Sequence, residues 1–188
     1  MRFLLPLLAA SIPVAAMDIF DFSDLRVGVD TVGVDYDISF NGSDSNEKWN
    51  SASRFNADWV AGTDLILLGI GYGVGGTYDK RDSEVLDQVS TLGHVQAGPY
   101  LSLGPVQFEL YGLAGVGTST IATSAIDETA SVEEFGLHLG VTVSLLHLVA
   151  GVRGGWLQQS ADFSVNNGQD LTITSSDYTA GAFVGWRF

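Results

Sequence analysis

The last eleven residues of the chain alternate between apolar side chains and a second set that is mostly small or polar. The first set comprises Tyr178, Ala180, Ala182, Val184, Trp186 and Phe188, and the second comprises Thr179, Gly181, Phe183, Gly185 and Arg187. A period of two places successive side chains on opposite faces of a β-strand. The segment is therefore predicted to be a strand with lipid against one face and a packed lumen against the other, with Trp186 and Phe188 in an interfacial aromatic girdle.

Comparable alternation recurs along the chain. The predicted strands cover approximately residues 25–40, 49–61, 65–78, 89–101, 106–116, 133–143, 148–156 and 178–188. Connections 62–64, 104–105 and 144–147 are short, whereas 41–48, 79–88, 118–132 and 158–172 are long and polar. Short periplasmic turns and longer external loops are typical of outer-membrane barrels. The expected fold is all-β, an eight-stranded antiparallel up-and-down transmembrane β-barrel.

The N-terminal segment MRFLLPLLAASIPVAA combines a basic Arg2, an apolar run and small residues at its end. These are the features of a secretory signal peptide. The apolar run contains Pro6 and Pro13 and is shorter than the ~20 residues that a spanning helix needs. We expect residues 1–16 to be a signal peptide that is cleaved, and residues 17–188 to form the barrel domain in the outer membrane.

Composition excludes several classes of protein. The chain is 46% apolar, contains 23 glycines and no cysteine, and carries a net charge of −14. It is too apolar to be disordered, too acidic to bind nucleic acid, and without thiols for disulfides or thiolate metal sites. A lipocalin-like barrel would have apolar residues inside. The aromatic terminus and the confinement of charge to one strand face favour the membrane barrel instead.

Three local features give more specific expectations. In the first strand, Leu25, Val27 and Val29 have one parity and Val32 and later apolar residues the other, which predicts a bulge near Asp30–Thr31. Trp49 and Trp59 in the second strand are expected to lie at opposite membrane interfaces. In the third strand, glycines at 69, 71, 73 and 75 face the lumen and are expected to leave space there.

One polar cluster is predicted inside the barrel. Pairing across the 144–147 turn places His138 opposite Arg153, and Glu109 has the inward parity of the neighbouring strand. A cluster of Glu109, His138 and Arg153 can act as a gate or an acid–base site, or fill the lumen as a buried charge network. Because an eight-stranded barrel is only wide enough for its own side chains, the structural interpretation is favoured.

Acidic side chains accumulate in the predicted external loops, at Asp44, Glu47, Asp82, Glu84, Asp127 and Glu128. Such a rim can hold divalent cations, bridge through them to lipopolysaccharide phosphates, or favour cations at a pore mouth. A solvated surface with nothing bound is the simpler interpretation, because no calcium-loop spacing is present. The segment 79–82, which has two acids and two bases, is interpreted as solvated. We expect no metal site and no cofactor.

With its signal peptide, alternating strands and terminal Phe188, the chain resembles the OmpA/OmpX-type small outer-membrane β-barrels. The resemblance implies partners in outer-membrane lipids and in the assembly machinery, which recognises an aromatic C-terminal signal, here Trp186 and Phe188. It carries no residue-level functional motif.

Some small barrels of this membrane are lipid A-modifying enzymes, and the deacylases among them place a serine two residues after a histidine. His94, His138 and His147 lack that serine. We therefore expect a non-enzymatic barrel with a structural or surface-interaction role. The alternatives are a small cation-preferring pore and, less favoured, a lipid A-modifying enzyme.

Overall fold

The computed structural model describes residues 21–33, 35–40, 42–65, 68–84, 86–123, 127–165 and 169–188. The predicted signal peptide lies outside the described residues. The strands are β1 (Phe22–Val32), β2 (Asp35–Phe40), β3 (Ser43–Lys48), β4 (Ser51–Leu65), β5 (Leu68–Asp82), β6 (Asp87–Leu103), β7 (Val106–Ala122), β8 (Asp127–Leu145), β9 (Leu148–Val165) and β10 (Gln169–Arg187).

Eight of these strands form a closed ring in the order β1, β4, β5, β6, β7, β8, β9 and β10, with β10 pairing back to β1. Every pairing is antiparallel, as the up-and-down topology requires. The predicted eight-stranded barrel is confirmed. The remaining strands, β2 and β3, form a hairpin attached to β10.

The predicted bulge near Asp30–Thr31 is wrong. β1 pairs with β10 without interruption from Asp24 to Val32, and β2 continues in the same register from Asp37 to Phe40. The irregularity lies instead on the chain that pairs with β1 and β2, where β3 leads into β4. The β2–β3 pairing is offset by one residue from the β1–β4 pairing. The extra residue lies within residues 49–52, between the pairs Asp35–Lys48 and Thr31–Ser53.

The shift of apolar residues from odd to even positions, which suggested a bulge, has another cause. β8 shows that cause most clearly. At the outer end of β8 the exposed side chains are polar, at Thr129, Ser131 and Glu133, and the buried Val132 is apolar. Further along the strand the pattern is reversed. The exposed side chains there are apolar, at Phe135, Leu137 and Leu139, and the buried ones are polar, at Glu134, His138 and Thr142. A strand with polar residues outside meets water, and one with apolar residues outside meets lipid. The inversion on one continuous strand places the external membrane boundary between Glu133 and Phe135.

Below that boundary, the outward face of the ring forms an apolar belt. Its exposed members include Leu25, Val27, Val29, Phe55, Ile70, Val74, Val95, Phe108, Leu110, Val116, Leu137, Leu139, Val143, Val152, Tyr178, Val184 and Trp186. Polar and charged side chains are buried inside the ring at the same level. The ring therefore has the apolar exterior and polar interior of a transmembrane β-barrel, with the strand polarity predicted for β10.

No helix in the part of the chain that the structure describes is long and apolar enough to cross a membrane.

Above the boundary, the interior is filled by an apolar plug. Its buried members are Tyr36, Trp49, Leu86, Leu92, Ile121, Val132, Ala161, Phe163, Val165, Leu171 and Ile173. Trp49 is 3% exposed and stacks on Tyr36 with ring centroids 4.0 Å apart. Its predicted position at a membrane interface is therefore wrong, because the indole faces the inside of the barrel above the lipid.

The predicted long external loops are also wrong in form. Most of their residues extend the strands beyond the membrane: β8 begins at Asp127, and β9 and β10 pair out to Val165 and Gln169. The periplasmic connections are tight, and the turn before His147 contains Leu146 at φ 56°. The barrel is therefore taller than the bilayer, and its external half is walled by hydrogen-bonded strands.

The glycines of β5 do not leave empty space. A Cβ at Gly69 would lie 2.0 Å from the ring of Tyr100, and one at Gly71 would lie 2.2 Å from the hydroxyl of Tyr111. These two tyrosines, 2% and 3% exposed, fill the periplasmic end of the lumen together with Phe22 and Val60. The glycine column allows bulky side chains from other strands to cross the interior.

Candidate functional site: lumen and external end

The periplasmic part of the lumen is occupied by ion pairs around Arg26. Its two Nη atoms each lie 2.7 Å from an oxygen of Glu109, and Nη2 also donates to Asp24 at 2.8 Å. Asp24 accepts two further hydrogen bonds from Arg187. Thr142 donates to Glu109 at 2.9 Å. β1 and β7 are opposite members of the ring, so the Arg26–Glu109 pair crosses the full width of the barrel.

A second group lies at mid-height around Arg153. This guanidinium donates to both Asp30 oxygens at 2.9 and 3.0 Å and to Asp58 at 3.1 Å. The other oxygen of Asp58 lies 2.8 Å from His94 Nε2, and His94 Nδ1 lies 3.2 Å from the Thr77 hydroxyl. The arrangement links five strands, β1, β4, β5, β6 and β9, through side chains that are largely buried.

The third group lies next to the plug. Arg54 donates to Glu134 at 2.6 Å, and Arg81 donates to Asp79 at 3.0 Å and to Asp177 at 3.3 Å. Gln159 donates to both Glu134 and Asp79. All of these charged side chains are at most 3% exposed. Buried charges need such compensation, since an unpaired ion in this environment is strongly destabilising.

The predicted cluster of Glu109, His138 and Arg153 is correct in its faces and wrong in its contacts. His138 lies opposite Gly155, and Arg153 lies opposite Gly140, so the predicted register across the turn is shifted by two residues. The three side chains line one interior cavity of about 10 Å³. That volume suits about one water molecule. The ion pairs, however, are Glu109 with Arg26 and Arg153 with Asp30 and Asp58.

The segment 79–82 is not wholly solvated, contrary to the prediction. Asp79 and Arg81 face the lumen, 1% and 2% exposed, whereas Lys80 and Asp82 face outward and form their own ion pair at 3.2 Å. Hydrogen bonds from Lys80 and Ser51 hold the pKa of Asp82 below its usual value. Alternation within a strand separates four adjacent charges into one buried pair and one exposed pair.

Asp58, His94 and Thr77 form a carboxylate–imidazole–hydroxyl chain, the order of groups found in hydrolases. The side chains are buried, at 3%, 6% and 3% exposure. A nucleophilic hydroxyl has to be in contact with its substrate, and the buried Thr77 hydroxyl has no room for a substrate beside it. Among the described residues, no group of three or more His, Asp and Glu side chains is arranged to hold a metal ion.

The β2–β3 hairpin is the most exposed structure at the external end. All six residues of β3 are exposed, and β3 ends the sheet order, pairing only with β2 among the described strands. Asn46 donates to Asp37 at 2.9 Å, and Lys48 lies 3.5 Å from Asp35. One long edge of the hairpin therefore presents backbone groups without a strand partner in the described chain.

The predicted acidic residues gather at this end of the barrel. Asp44 and Glu47 are exposed on β3, Glu84 is exposed in the turn after β5, and Asp127 and Glu128 begin β8. Every arginine in the described ranges has its guanidinium in the lumen network, which leaves Lys48 and Lys80 as the outward cations of the external strands. The negative charge is therefore concentrated outside.

Sequence analysis did not identify Asp24, Arg26, Asp30 and Asp177 as lumen residues. The alternation could have revealed the first three, because each has the parity opposite to Leu25, Val27 and Val29. The predicted bulge obscured that signal by making the register of β1 uncertain.

No family model matches the chain, and no curated protein matches it. Among solved structures, it is similar to the attachment invasion locus protein Ail of Yersinia pestis, with 18% identity, 89% of this chain and 98% of that chain covered, and a TM-score of 0.43. It is also similar to Neisserial surface protein A, with 14% identity, 85% and 96% coverage, and a TM-score of 0.47. The outer membrane protease OmpT of Escherichia coli matches at 8% identity, 90% and 98% coverage, and a TM-score of 0.49.

Proposed function

We propose that this eight-stranded outer-membrane barrel is a non-enzymatic surface-interaction protein whose β2–β3 hairpin binds extended peptide segments of external partners. The observation that carries the proposal is the open edge of β3, which stands outside the ring and above the lipid. An exposed strand edge offers a row of backbone donors and acceptors to which another chain can add a strand. Main-chain hydrogen bonds then provide affinity that does not depend on a deep pocket.

The charge of the hairpin indicates which segments it favours. Asp35, Asp37, Asp44 and Glu47 outnumber Lys48, and Lys48 is already paired with Asp35. Charged edges also prevent indiscriminate pairing with other sheets. We infer that both effects act together: the acidic side chains repel acidic strands and favour an extended segment that carries Lys or Arg at alternate positions.

The lumen supports this choice over a pore. Ion pairs bridge opposite strands at two levels, through Arg26 with Glu109 and Arg54 with Glu134, and the apolar plug fills the external end. Barrels of eight strands are narrow enough to be filled by their own side chains. The proposed role of Trp186 and Phe188 as an assembly signal fits their place at the end of the strand that closes the ring against β1, where the Phe188 amide donates to Ser23 at 2.9 Å.

The test uses the chain from residue 17 folded in detergent micelles and a synthetic peptide of alternating lysine and threonine. Binding should slow amide hydrogen exchange in β3 and weaken as salt rises, because the attraction is partly between exposed charges. A peptide of the same charge with proline in place of threonine is the control, since proline cannot donate to a ladder. The double variant Asp44→Lys, Glu47→Lys should bind at least tenfold more weakly. Equal affinity for both peptides, or unchanged exchange in β3, would contradict the proposal.

A further inference from the structure

The outer wall of the barrel contains a groove that the surface role does not use. It has a volume of about 640 Å³ and crosses β4 to β9 within the apolar belt. Its floor is made of small side chains on the two central strands, at Ala97, Gly112 and Ala114, and larger side chains rise on both sides. The strand register explains the shape. Across the four strands β5 to β8, Tyr72 pairs with Ala97, Ala97 with Gly112, and Gly112 with Leu137, so two small residues lie between two large ones.

The two sides of the groove are aromatic pairs held in place by hydrogen bonds. On one side Trp59 meets Tyr72 edge to face, with centroids 6.5 Å apart, and the indole donates to Ser23 at 2.9 Å. On the other side Phe135 meets Trp156 at 5.7 Å, and this indole donates to Ser176 at 2.9 Å. Fixed indoles keep the walls from collapsing into the groove, so the concave shape exists before anything binds.

The position of the groove limits what can fill it. Phe135 is the first apolar outward residue below the external boundary of β8, and Trp156 lies opposite Leu137 on β9. The Phe135–Trp156 side of the groove therefore lies in the external half of the bilayer, while the Trp59–Tyr72 side, which is bonded to Ser23, lies nearer the periplasm. The surrounding medium is hydrocarbon along its whole length. Because the floor residues are small, a flexible chain can lie in the groove and contact protein atoms below it and on both sides. In a lipid medium, close packing of this kind is the main source of attraction between apolar groups.

A second copy of the barrel fits this face less well. A two-fold contact centred on the groove would set one concavity against another and leave a void between them. A contact that placed a convex wall of one copy in the groove of the next would not close and would generate open chains of barrels.

We propose that the groove binds one acyl chain of a lipopolysaccharide molecule in the external leaflet. Few cations face outward near the external boundary, where Lys48 and Lys80 are both engaged by carboxylates, so the phosphates of the lipid are not the groups recognised. The chain itself is held between the aromatic walls. Binding should for this reason survive removal of divalent cations.

Native mass spectrometry of the detergent-solubilised barrel provides the test, with lipopolysaccharide reduced to lipid A and inner core as the probe. The variant Gly112→Leu fills the floor, and the backbone tolerates it, since a Cβ there would meet its nearest atoms at 3.8 and 3.9 Å. The matched control is Gly93→Leu on the adjacent strand, where a Cβ would have no atom within 4 Å and which lies outside the groove lining. Folding of each variant is checked by its resistance to unfolding in cold detergent.

The wild type and Gly93→Leu should each retain one lipid, with or without a chelator, and Gly112→Leu should retain at least tenfold less. Equal retention by Gly112→Leu and the wild type would overturn the groove as the site. Loss of the lipid on chelation would assign binding to a cation bridge at the acidic rim. Equal retention of phosphatidylethanolamine would overturn lipopolysaccharide as the source of the chain. None of these results depends on peptide binding at β3.

Discussion

Arg54 on β4 and Glu134 on β8 meet across the full width of the barrel, with Nη1 2.6 Å from Oε2 and both side chains at most 1% exposed. Their strands are opposite members of the eight-stranded ring. Arg26 and Glu109 form the corresponding contact nearer the periplasm. Such pairs join walls that share no backbone hydrogen bonds, and they make the filled lumen part of what holds the barrel closed.

Removal of one partner should therefore be costly. Glu134→Ala removes the closest carboxylate from the Arg54 guanidinium and leaves Asp79 at 3.8 Å as its ion-pair partner; breaking a buried pair costs about 3–5 kcal/mol. The neighbouring Glu133→Ala, at an exposed position, should change the unfolding free energy by at most about 0.5 kcal/mol. Urea unfolding of the two variants in micelles measures both. A Glu134→Ala barrel as stable as Glu133→Ala would show that the charge network contributes nothing to stability.

The packing of Tyr100 against β5 gives a second matched pair. Gly69→Ala would place a Cβ 2.0 Å from the tyrosine ring, whereas Gly76→Ala on the same strand would have its nearest contact at 3.7 Å. The first should lower stability by about 1–3 kcal/mol because the ring must move. The second should leave stability unchanged or raise it by about 0.4–1 kcal/mol, since alanine restricts the unfolded chain. Thermal unfolding followed by circular dichroism separates them, and similar midpoints would argue against a tightly packed lumen.

The plug should control the order of the external end. Trp49→Ala removes the partner of Tyr36 and should cost about 3–5 kcal/mol locally, loosening the β2–β3 hairpin. We expect a protease to cleave this variant within residues 35–50 while the rest of the barrel resists digestion, and to leave Lys48→Ala intact. Uniform resistance of both variants would mean that the hairpin is held by its backbone pairing alone.

The position of the membrane boundary can be measured directly, because the chain has no cysteine and a single introduced thiol is unique. On β8, Glu133→Cys should react rapidly with a membrane-impermeant maleimide in reconstituted vesicles, whereas Leu137→Cys should be protected by lipid. Equal labelling at the two positions would mean that the polarity inversion does not mark the edge of the bilayer.

The filled lumen predicts that the wild-type barrel conducts no ions in planar bilayers. Arg26, Arg54 and Arg153 are each bound to carboxylates on other strands, and displacing them would leave buried charges unpaired. A wide porin inserted in the same bilayer shows that conductance can be detected. Stable, cation-selective steps from this protein would promote the pore over the surface role and make the acidic rim its entrance.

Alternation predicted the faces of the strands well, because lipid and lumen impose opposite requirements on neighbouring residues. Phe183 inside and Val184 outside follow directly from the sequence. The contacts between strands did not follow. The turn at Leu146–His147 contains a leucine at positive φ, which no sequence rule favours. The observed register differs from the predicted one by two residues, which keeps every face but places Gly155 rather than Arg153 opposite His138.

The external end was harder to predict for a different physical reason. Asp79 and Arg81 lie in a polar run that resembles a loop, and only the strand structure separates them from Lys80 and Asp82. The prediction for Trp49 assumed a single polarity along the whole strand, whereas its indole packs inside the barrel against Tyr36. Sequence patterns identify alternation, but which of two solvents covers a face depends on the height of the residue in the barrel.

The polarity inversion also constrains how the protein reaches its place in the membrane. The hydroxyls and carboxylates that face outward on the upper strands, such as Ser131 and Glu133, have to travel through hydrocarbon to reach the far side. A cylinder completed beforehand would drag that whole polar collar through the bilayer, at a cost that is greatest at the midplane. Translocation of individual hairpins, with the plug assembled only after they emerge, avoids exposing the collar all at once.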